Sequence, residues 1–305
     1  MTDVSVTIGR TALKNPVLAA SGTAAFGHDA KTLELAKLGG IVLKTVTPAP
    51  RQGNPPPRIA ETPSGVLNAI GLENPGIDAL CEQHLPMLSA CECAVLVSIH
   101  ADGPDEIRSM AERLSKEKNV AAVEINLSCP NVKDGTTPSR DPDLAFRFVS
   151  AADVEAGKPL WAKISPDSPD IVATAQATAD AGAEAVVISN TYPGATVNWR
   201  TSQPLLGAGT GGLSGPAVRP LTLYRVGLVR AKVNVAVIAS GGAFSADDVL
   251  QFLSVGASAV EIGTANLVDP AGMSGIPDKL AELLAQEGKK NVLEIIGSIN
   301  IFDGR

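Results

Sequence analysis

Val123-Glu-Ile-Asn-Leu-Ser-Cys-Pro-Asn131 lies at the end of an apolar run, Val120 to Leu127, that stops abruptly on polar residues. The run is short and rich in Val, Ala and Ile, the pattern of a parallel strand buried on both faces. Pro130 has no N–H to give a ladder, so Ser128, Cys129 and Asn131 fall at the strand's C-terminal mouth or just beyond it. In barrels of parallel strands that end carries the chemistry. A thiol flanked by amides there fits a general base or a nucleophile beside a planar polar ligand. A buried structural cysteine is the competing reading, since free Cys is among the most buried residue types.

Seven further runs of the same kind are Pro16–Ser21, Gly40–Thr45, Ala94–Ile99, Leu160–Ser165, Ala185–Ser189, Val233–Ala239 and Ala257–Gly263. Amphipathic segments such as Pro104–Lys116, Pro169–Ala181, Ala217–Ala231 and Ser245–Val255 separate them. Eight βα units with right-handed crossovers predict an α/β fold, a (β/α)8 TIM barrel, over residues 1–305 as a single domain. Val4–Asn15 reads as a β-hairpin that could plug the bottom of the barrel. An open doubly wound sheet is the competitor, but no Gly-x-Gly-x-x-Gly opens an early βα turn.

Two connections are too long to be simple. Thr45 to Pro75 carries seven prolines and is expected to run as an extended excursion over one face. Asn190 to Pro216 contains Gly207-Ala-Gly-Thr-Gly-Gly-Leu-Ser-Gly215. Long loops in compact domains are usually lids or binding loops, and both follow strands, so both are expected at the mouth that holds Cys129. The last two strands end in Ser240-Gly-Gly242 and Gly263-Thr264. Glycines let backbone N–H groups close on an anion, and phosphate sites follow strands seven and eight of such barrels. Tight βα turns alone would also explain the glycines.

The totals exclude several classes. At 305 residues, 45% hydrophobic and 19% charged, the chain is globular, and its net charge of −7 argues against a nucleic-acid partner. No apolar run approaches the roughly 20 residues that span a bilayer, and no signal-like segment opens the chain, so a soluble cytoplasmic protein is expected. Four cysteines in this length do not make a disulfide framework. Cys81, His84, Cys91 and Cys93 are close in sequence but lack zinc spacing, and no metal is expected. His100, at the end of a strand, could face the mouth; a satisfied core histidine is preferred.

Strand ends therefore supply Ser21, Gly22, Lys44, Thr45, Asn126, Cys129, Asn131, Lys163, Asn190 and Thr191, with Asn68 from the first long loop. Lysines in an apolar framework want an anion, and the sequence shows no obvious acid near either one. Asparagine amides suit a planar ring with alternating carbonyl and N–H groups, although turn chemistry accounts for any one alone. A basic thiol, two lysines and a phosphate site fit a flavin nucleotide that becomes anionic on reduction.

At these residues the chain resembles the dihydroorotate dehydrogenases, more narrowly their class 1B catalytic subunit. The matching stretches are Lys44–Pro55, Asn68–Gly76, Glu124–Asn131, Ser189–Thr191, Thr210–Pro216, Ser240–Gly242 and Val260–Asn266, collinear from about Val4 to Asp269. The resemblance implies oxidation of dihydroorotate to orotate in pyrimidine biosynthesis, with FMN as hydride acceptor. It makes Cys129 the base that takes the proton from ring carbon 5, while hydride leaves ring carbon 6 for the flavin. It assigns Lys44, Asn68, Ile70, Gly71, Leu72, Asn126, Asn131, Asn190 and Thr191 to substrate. To the cofactor it assigns Ser21, Gly22, Lys44, Thr45, Asn126, Lys163, Ser189, Gly215, Gly241, Gly242, Gly263 and Thr264. Lys163 would face the flavin's pyrimidine edge and stabilise the charge of the reduced form.

Class 1B members are similar in working with a second subunit that carries FAD and a 2Fe–2S cluster and passes electrons to NAD. The resemblance thus implies a homodimer core within a heterotetramer. The chain lacks a Rossmann fingerprint and ferredoxin cysteine spacing, so FAD and the cluster are expected only on the partner. A fumarate-linked class 1A enzyme, an FMN-binding barrel with a changed or lost substrate, and a non-catalytic scaffold subunit are the alternatives. The Arg51-Gln-Gly-Asn-Pro and Gly-Gly-Leu-Ser-Gly-Pro segments favour 1B, and Cys in place of Ser as base disfavours the quinone-linked class. Asp134–Arg140 and Val197–Thr201 depart from the family pattern. Trp199 could be an interface residue or a lid contact, and the tail from Ser298 matches nothing.

Overall fold

A computed structural model describes residues 2–27, 32–128, 137–155 and 157–302. Sixteen strands occur among them. The first two, β1 (Val6–Ile8) and β2 (Thr11–Leu13), form the expected antiparallel hairpin. It sits at the N-terminal end of the barrel: Glu184, just before a barrel strand, accepts from the Arg10 backbone N–H at 2.6 Å and from its side chain at 2.6 Å. Val6, Ile8 and Leu13 alternate with exposed residues and turn inward to close that end of the core.

Eight parallel strands close the barrel: β3 (Val17–Ala19), β4 (Gly40–Val46), β7 (Ala94–Ile99), β8 (Ala122–Asn126), β9 (Leu160–Ile164), β10 (Ala185–Ile188), β15 (Ala236–Ser240) and β16 (Ala257–Ile262). Sequence neighbours are spatial neighbours, and β16 closes on β3. All eight expected runs are these strands, with ends shifted by up to three residues. Helices Pro104–Ser115, Ile171–Asp180, Arg219–Lys232 and Ala246–Ser254 fall where amphipathic segments predict them. Side chains stop the helix starts from fraying: Asp141, Asp170 and Asp269 accept from first-turn N–H groups, and Ser245 with Asp248 makes a full capping box.

Register defines the barrel's interior. Ser98 pairs with Glu124 and Glu124 with Trp161, while Asn126 pairs with Lys163 and Lys163 with Val187. In-register residues of parallel strands share a face, so these side chains point together. The alternate set, including Val123, Ile125, Ala162, Ile164, Val186 and Ile188, packs outward under the helices. The inward set is unusual for its small members, Gly40, Ala122, Ala185, Ala236 and Ala259. They leave volume that Trp161, fully buried, and a group of charged side chains occupy.

The long connections are more ordered than an extended excursion. The first holds β5 (Ile59–Thr62) and β6 (Gly65–Asn68); the second holds β11 (Tyr192–Gly194), β12 (Val197–Asn198), β13 (Gln203–Pro204) and β14 (Gly211–Ser214). β14 pairs with β6, so loops that follow β4 and β10 join in one four-stranded sheet, β11-β14-β6-β5, with its own small core of Ala60, Leu67, Ala69 and Leu206. Trp199 lies between β12 and β13, 73% exposed, with Arg200 over its ring. The tail packs back on Arg219–Lys232, where Phe302 meets the ring of Tyr224 edge-on at 5.3 Å. Among the described residues no helix is long and apolar enough to cross a membrane.

Candidate active site

The C-terminal ends of the strands gather the polar residues that the sequence singles out. Asn126 ends β8, and Asn190 follows β10; the Asn190 side-chain amide donates to Asn126 Oδ1 at 3.3 Å. Asn126 Oδ1 also accepts from the Ser128 backbone at 3.1 Å, and Asn190 Oδ1 from the Thr191 backbone at 2.8 Å. With their oxygens committed, both amides have N–H donors to offer a ligand. Asn68, at the end of β6, donates to the Gly212 carbonyl at 3.3 Å. A Cβ on Gly212 would stand 1.8 Å from Thr191 Oγ1, so Asn68 and Thr191 meet around that glycine.

A second group lies on the β3–β4–β7 side. Ser21 Oγ donates to the Leu43 carbonyl at 2.8 Å and accepts from the Thr45 backbone at 3.1 Å; Thr45 Oγ1 is 3.0 Å from Ser98 Oγ. Lys44 runs beside Gly22, where an added Cβ would lie 3.6 Å from its Nζ. Gly71 (φ +72°) and Leu72 (φ +55°) turn the chain just past β6, pinned by Asn54, whose backbone N–H bonds the Ile70 carbonyl at 3.0 Å. Ser189 bonds its backbone N–H to Ser240 at 2.9 Å, which ties the end of β10 to β15.

The glycine turns are built for close approach. Gly242 has φ +96°, and a Cβ there would lie 2.6 Å from Arg219 Cα, at the first turn of helix Arg219–Lys232. Gly241 (φ +140°) faces Thr222 in the same helix, and Gly215 (φ +105°) abuts Gly65. Thr264 Oγ1 donates to Ser214 Oγ at 2.8 Å, which brings the end of β16 to the loop sheet. At Gly215, Gly241 and Gly242 a Cβ would run into Gly65, Thr222 or Arg219, so each glycine lets its turn pack closely there. Exposed backbone N–H groups of such turns, hydroxyls beside them and a helix start are the chemistry that suits a phosphate group. Cys129 and Asn131 lie outside the described residues, as does the start of the divergent 134–140 loop.

Lys163 corrects one expectation. Its Nζ lies 2.5 Å from Glu261 Oε2 and 3.4 Å from Glu124 Oε2, so two acids face it. Both sit inside apolar strands, in Val123-Glu-Ile and Val260-Glu-Ile, and Glu261 reaches across the interior from β16. Sequence proximity could not reveal a pairing made across the barrel; an acid at an inward strand position was the available signal. Burial opposes the charge on Lys163, but the two carboxylates outweigh it and hold its pKa above the usual lysine value. Burial first, and then the charge of Glu124, push Glu261 up to about 8, against the pull of Lys163.

His100 is 1% exposed, and its Nδ1 sits 3.0 Å from the Asn126 carbonyl. Its Nε2 has no hydrogen-bond partner among the described residues, so the core histidine is only half satisfied. Burial holds its pKa below the usual value. Cys91 and Cys93 place their sulfurs 3.4 Å apart just before β7, at the opposite end of that strand from the site, and His84 stacks on Phe26.

The sequence pattern of the family described as "Dihydroorotate dehydrogenase" matches residues 3–284. The protein named "Dihydroorotate dehydrogenase B (NAD(+)), catalytic subunit" of Geotalea uraniireducens is 42% identical over 299 residues, covering 97% of this chain and 98% of its own. The protein of the same name from Desulforudis audaxviator is 44% identical over 302 residues, 98% of each. Among solved structures, the dihydroorotate dehydrogenase of Eimeria tenella in complex with ferulenol aligns with a TM-score of 0.78 at 26% identity, over 97% of this chain and 88% of that one. With its barrel, its mouth of amides and its glycine turns, the chain belongs to the dihydroorotate dehydrogenase family.

Proposed function

We propose that this chain oxidises dihydroorotate to orotate in pyrimidine biosynthesis, with FMN as hydride acceptor and NAD as the final acceptor through a separate subunit. The observation that carries the reading is the Asn126–Asn190 amide pair, set over Lys163 at the rim of the barrel. The names of the relatives support the NAD-linked form and a partner subunit. On the same reading the whole chain is one FMN-binding barrel domain. It forms a homodimer core with a partner that carries FAD and a 2Fe–2S cluster, and it works in the cytoplasm.

In this mechanism Asn68, Asn126, Asn131, Asn190 and Thr191 hold the pyrimidine ring in plane, with Lys44 and the Ile70–Leu72 turn beside it. Cys129 removes the proton from ring carbon 5. FMN, when bound, supplies hydride acceptance from ring carbon 6. The turns at Ser21–Gly22, Gly215, Gly241–Gly242 and Gly263–Thr264 would hold the cofactor, together with Thr45 and Ser189. Lys163, kept cationic by its two carboxylates, would stabilise the negative charge of the reduced cofactor without reorganising.

The test is anaerobic mixing of the flavin-loaded protein with dihydroorotate, followed at about 450 nm, where oxidised flavin absorbs. Rapid bleaching is expected, with reoxidation by NAD only when the partner subunit is added and none by fumarate. A flavin that stays oxidised would sink the substrate assignment.

A further inference from the structure

The eight barrel strands carry four ionisable side chains, Lys44, Glu124, Lys163 and Glu261. Three of them meet inside the barrel: Glu124 is 0% exposed, Glu261 1% and Lys163 6%. One carboxylate would suffice to pair a buried lysine, yet two converge on it from opposite parts of the sheet. Both Glu124 oxygens and Glu261 Oε1 have no hydrogen-bond partner among the described residues, and neither has the Trp161 Nε1 that shares their face. Two carboxylates and one ammonium carry a net charge of −1 in a low-dielectric interior; with one proton added, the cluster is neutral.

The other charged or titratable groups nearby are accounted for. Lys44 lies beside Gly22 on the β4 side of the mouth. His100 is tied through Nδ1 to the Asn126 carbonyl, and burial favours its neutral form. Lys163, which the cofactor assignment puts against the flavin, is therefore the link between that ring and the two acids.

We propose that Glu124 and Glu261 act as a shared-proton pair, which positions Lys163 and takes up one solvent proton when the flavin is reduced. This rests on the FMN reading above and deepens it. Reduction brings two electrons and one proton to the flavin as hydride from ring carbon 6, and the ring gains one negative charge. The second substrate proton leaves ring carbon 5 for Cys129. The proton bound by the carboxyl pair comes from solvent and returns there when the two electrons depart, so the chemistry balances without a further reactant. Where the pair already holds its proton before reduction, no uptake occurs. Where it is fully ionised, the added flavin charge beyond Lys163 raises its proton affinity, and uptake follows.

The experiment is a spectroelectrochemical titration of the FMN-loaded chain from about pH 6.5 to about pH 9.5, in the wild type, Glu261→Gln and Glu124→Gln; each proton taken up per two electrons adds about 30 mV per pH unit to the slope. The wild-type midpoint potential should fall by about 30 mV per pH unit at neutral pH and by about 60 mV above about pH 8. Each Gln variant should hold the single-proton slope throughout, because one acid paired with Lys163 stays ionised. A wild-type slope with no break overturns the proposal, as does the same break in both variants. If one variant does not fold, the wild-type break and the other variant decide. FMN binding is measured first by fluorescence quenching. Failure to bind overturns the flavin reading and this inference with it, whereas binding without a break overturns this inference alone.

Discussion

The Asn190 side-chain amide reaches Asn126 Oδ1 across 3.3 Å, although the strand carrying Lys163 lies between their two strands. The contact bridges over β9 at the rim, so the two amides and the lysine form a compact polar wall. Each oxygen also accepts a local backbone N–H, which fixes the amides' orientation before any ligand arrives. Preorganised donors cost no rearrangement when the ring binds.

Replacing either amide should therefore weaken the reaction well beyond the loss of one surface contact. Asn126→Ala and Asn190→Ala are each expected to lose about 1–3 kcal/mol of transition-state stabilisation, roughly 5–150-fold in kcat/KM for dihydroorotate. Because the side chains touch, the double variant should lose less than the sum of the two. Full additivity in steady-state kinetics would show that the amides act independently.

The proposed base, Cys129, sets the expected pH dependence. A thiol without special help has a pKa of about 8.5, so the basic thiolate is a minority at neutral pH. The rate of flavin reduction by dihydroorotate should rise from neutral pH to about 9, and Cys129→Ala should lower it by about 10²–10⁴-fold while FMN stays bound. A flat wild-type profile in stopped-flow measurements would remove Cys129 as the base.

The barrel was legible because a parallel strand buried on both faces is a short apolar run, and eight such runs repeat with helices between them. Asn126, Asn190 and Thr191 were legible because polar residues just after such runs fall at one mouth. The order within the long loops was not, since β6 and β14 pair Asn68 with Gly212, 144 residues apart, and no local pattern marks that match. The Glu124–Lys163–Glu261 cluster was hidden for a related reason. Its members sit on three strands, and closure of the barrel is what brings Glu261 to Lys163.

That cluster gives Lys163 a structural role beside the one proposed for it at the flavin. Lys163→Met leaves two buried carboxylates facing each other, a loss of about 3–5 kcal/mol by the usual cost of stripping a partner from a buried pair. Urea unfolding at neutral pH should show it, and adding Glu261→Gln should recover part. The sign of the pH effect follows from Glu261, whose folded pKa of about 8 lies above its ordinary value of 4.5. Between those values the folded chain binds more protons than the unfolded one, so this group's contribution to stability falls as pH rises through the window. Glu261→Gln should flatten that fall; an unchanged slope in denaturation curves would place the proton elsewhere.

The Gly242 turn separates backbone strain from steric closure. At φ +96° a side chain is strained in itself, and a Cβ would also lie 2.6 Å from backbone atoms of Arg219, which cannot swing aside. Arg219 is held in turn by its ion pair with Asp248, whose carboxylate caps the next helix. Gly288 is the matched control, with φ +70° and open space around it. Gly288→Ala should cost roughly 1–2 kcal/mol from the left-handed backbone alone and leave FMN affinity unchanged. Gly242→Ala should add about 1–3 kcal/mol for the clash. Because its only relief is to push the turn off the helix start, it should also weaken FMN binding at least tenfold in a fluorescence titration. Equal effects of the two substitutions on FMN affinity would mean that the turn's close approach to Arg219 has no part in holding the phosphate.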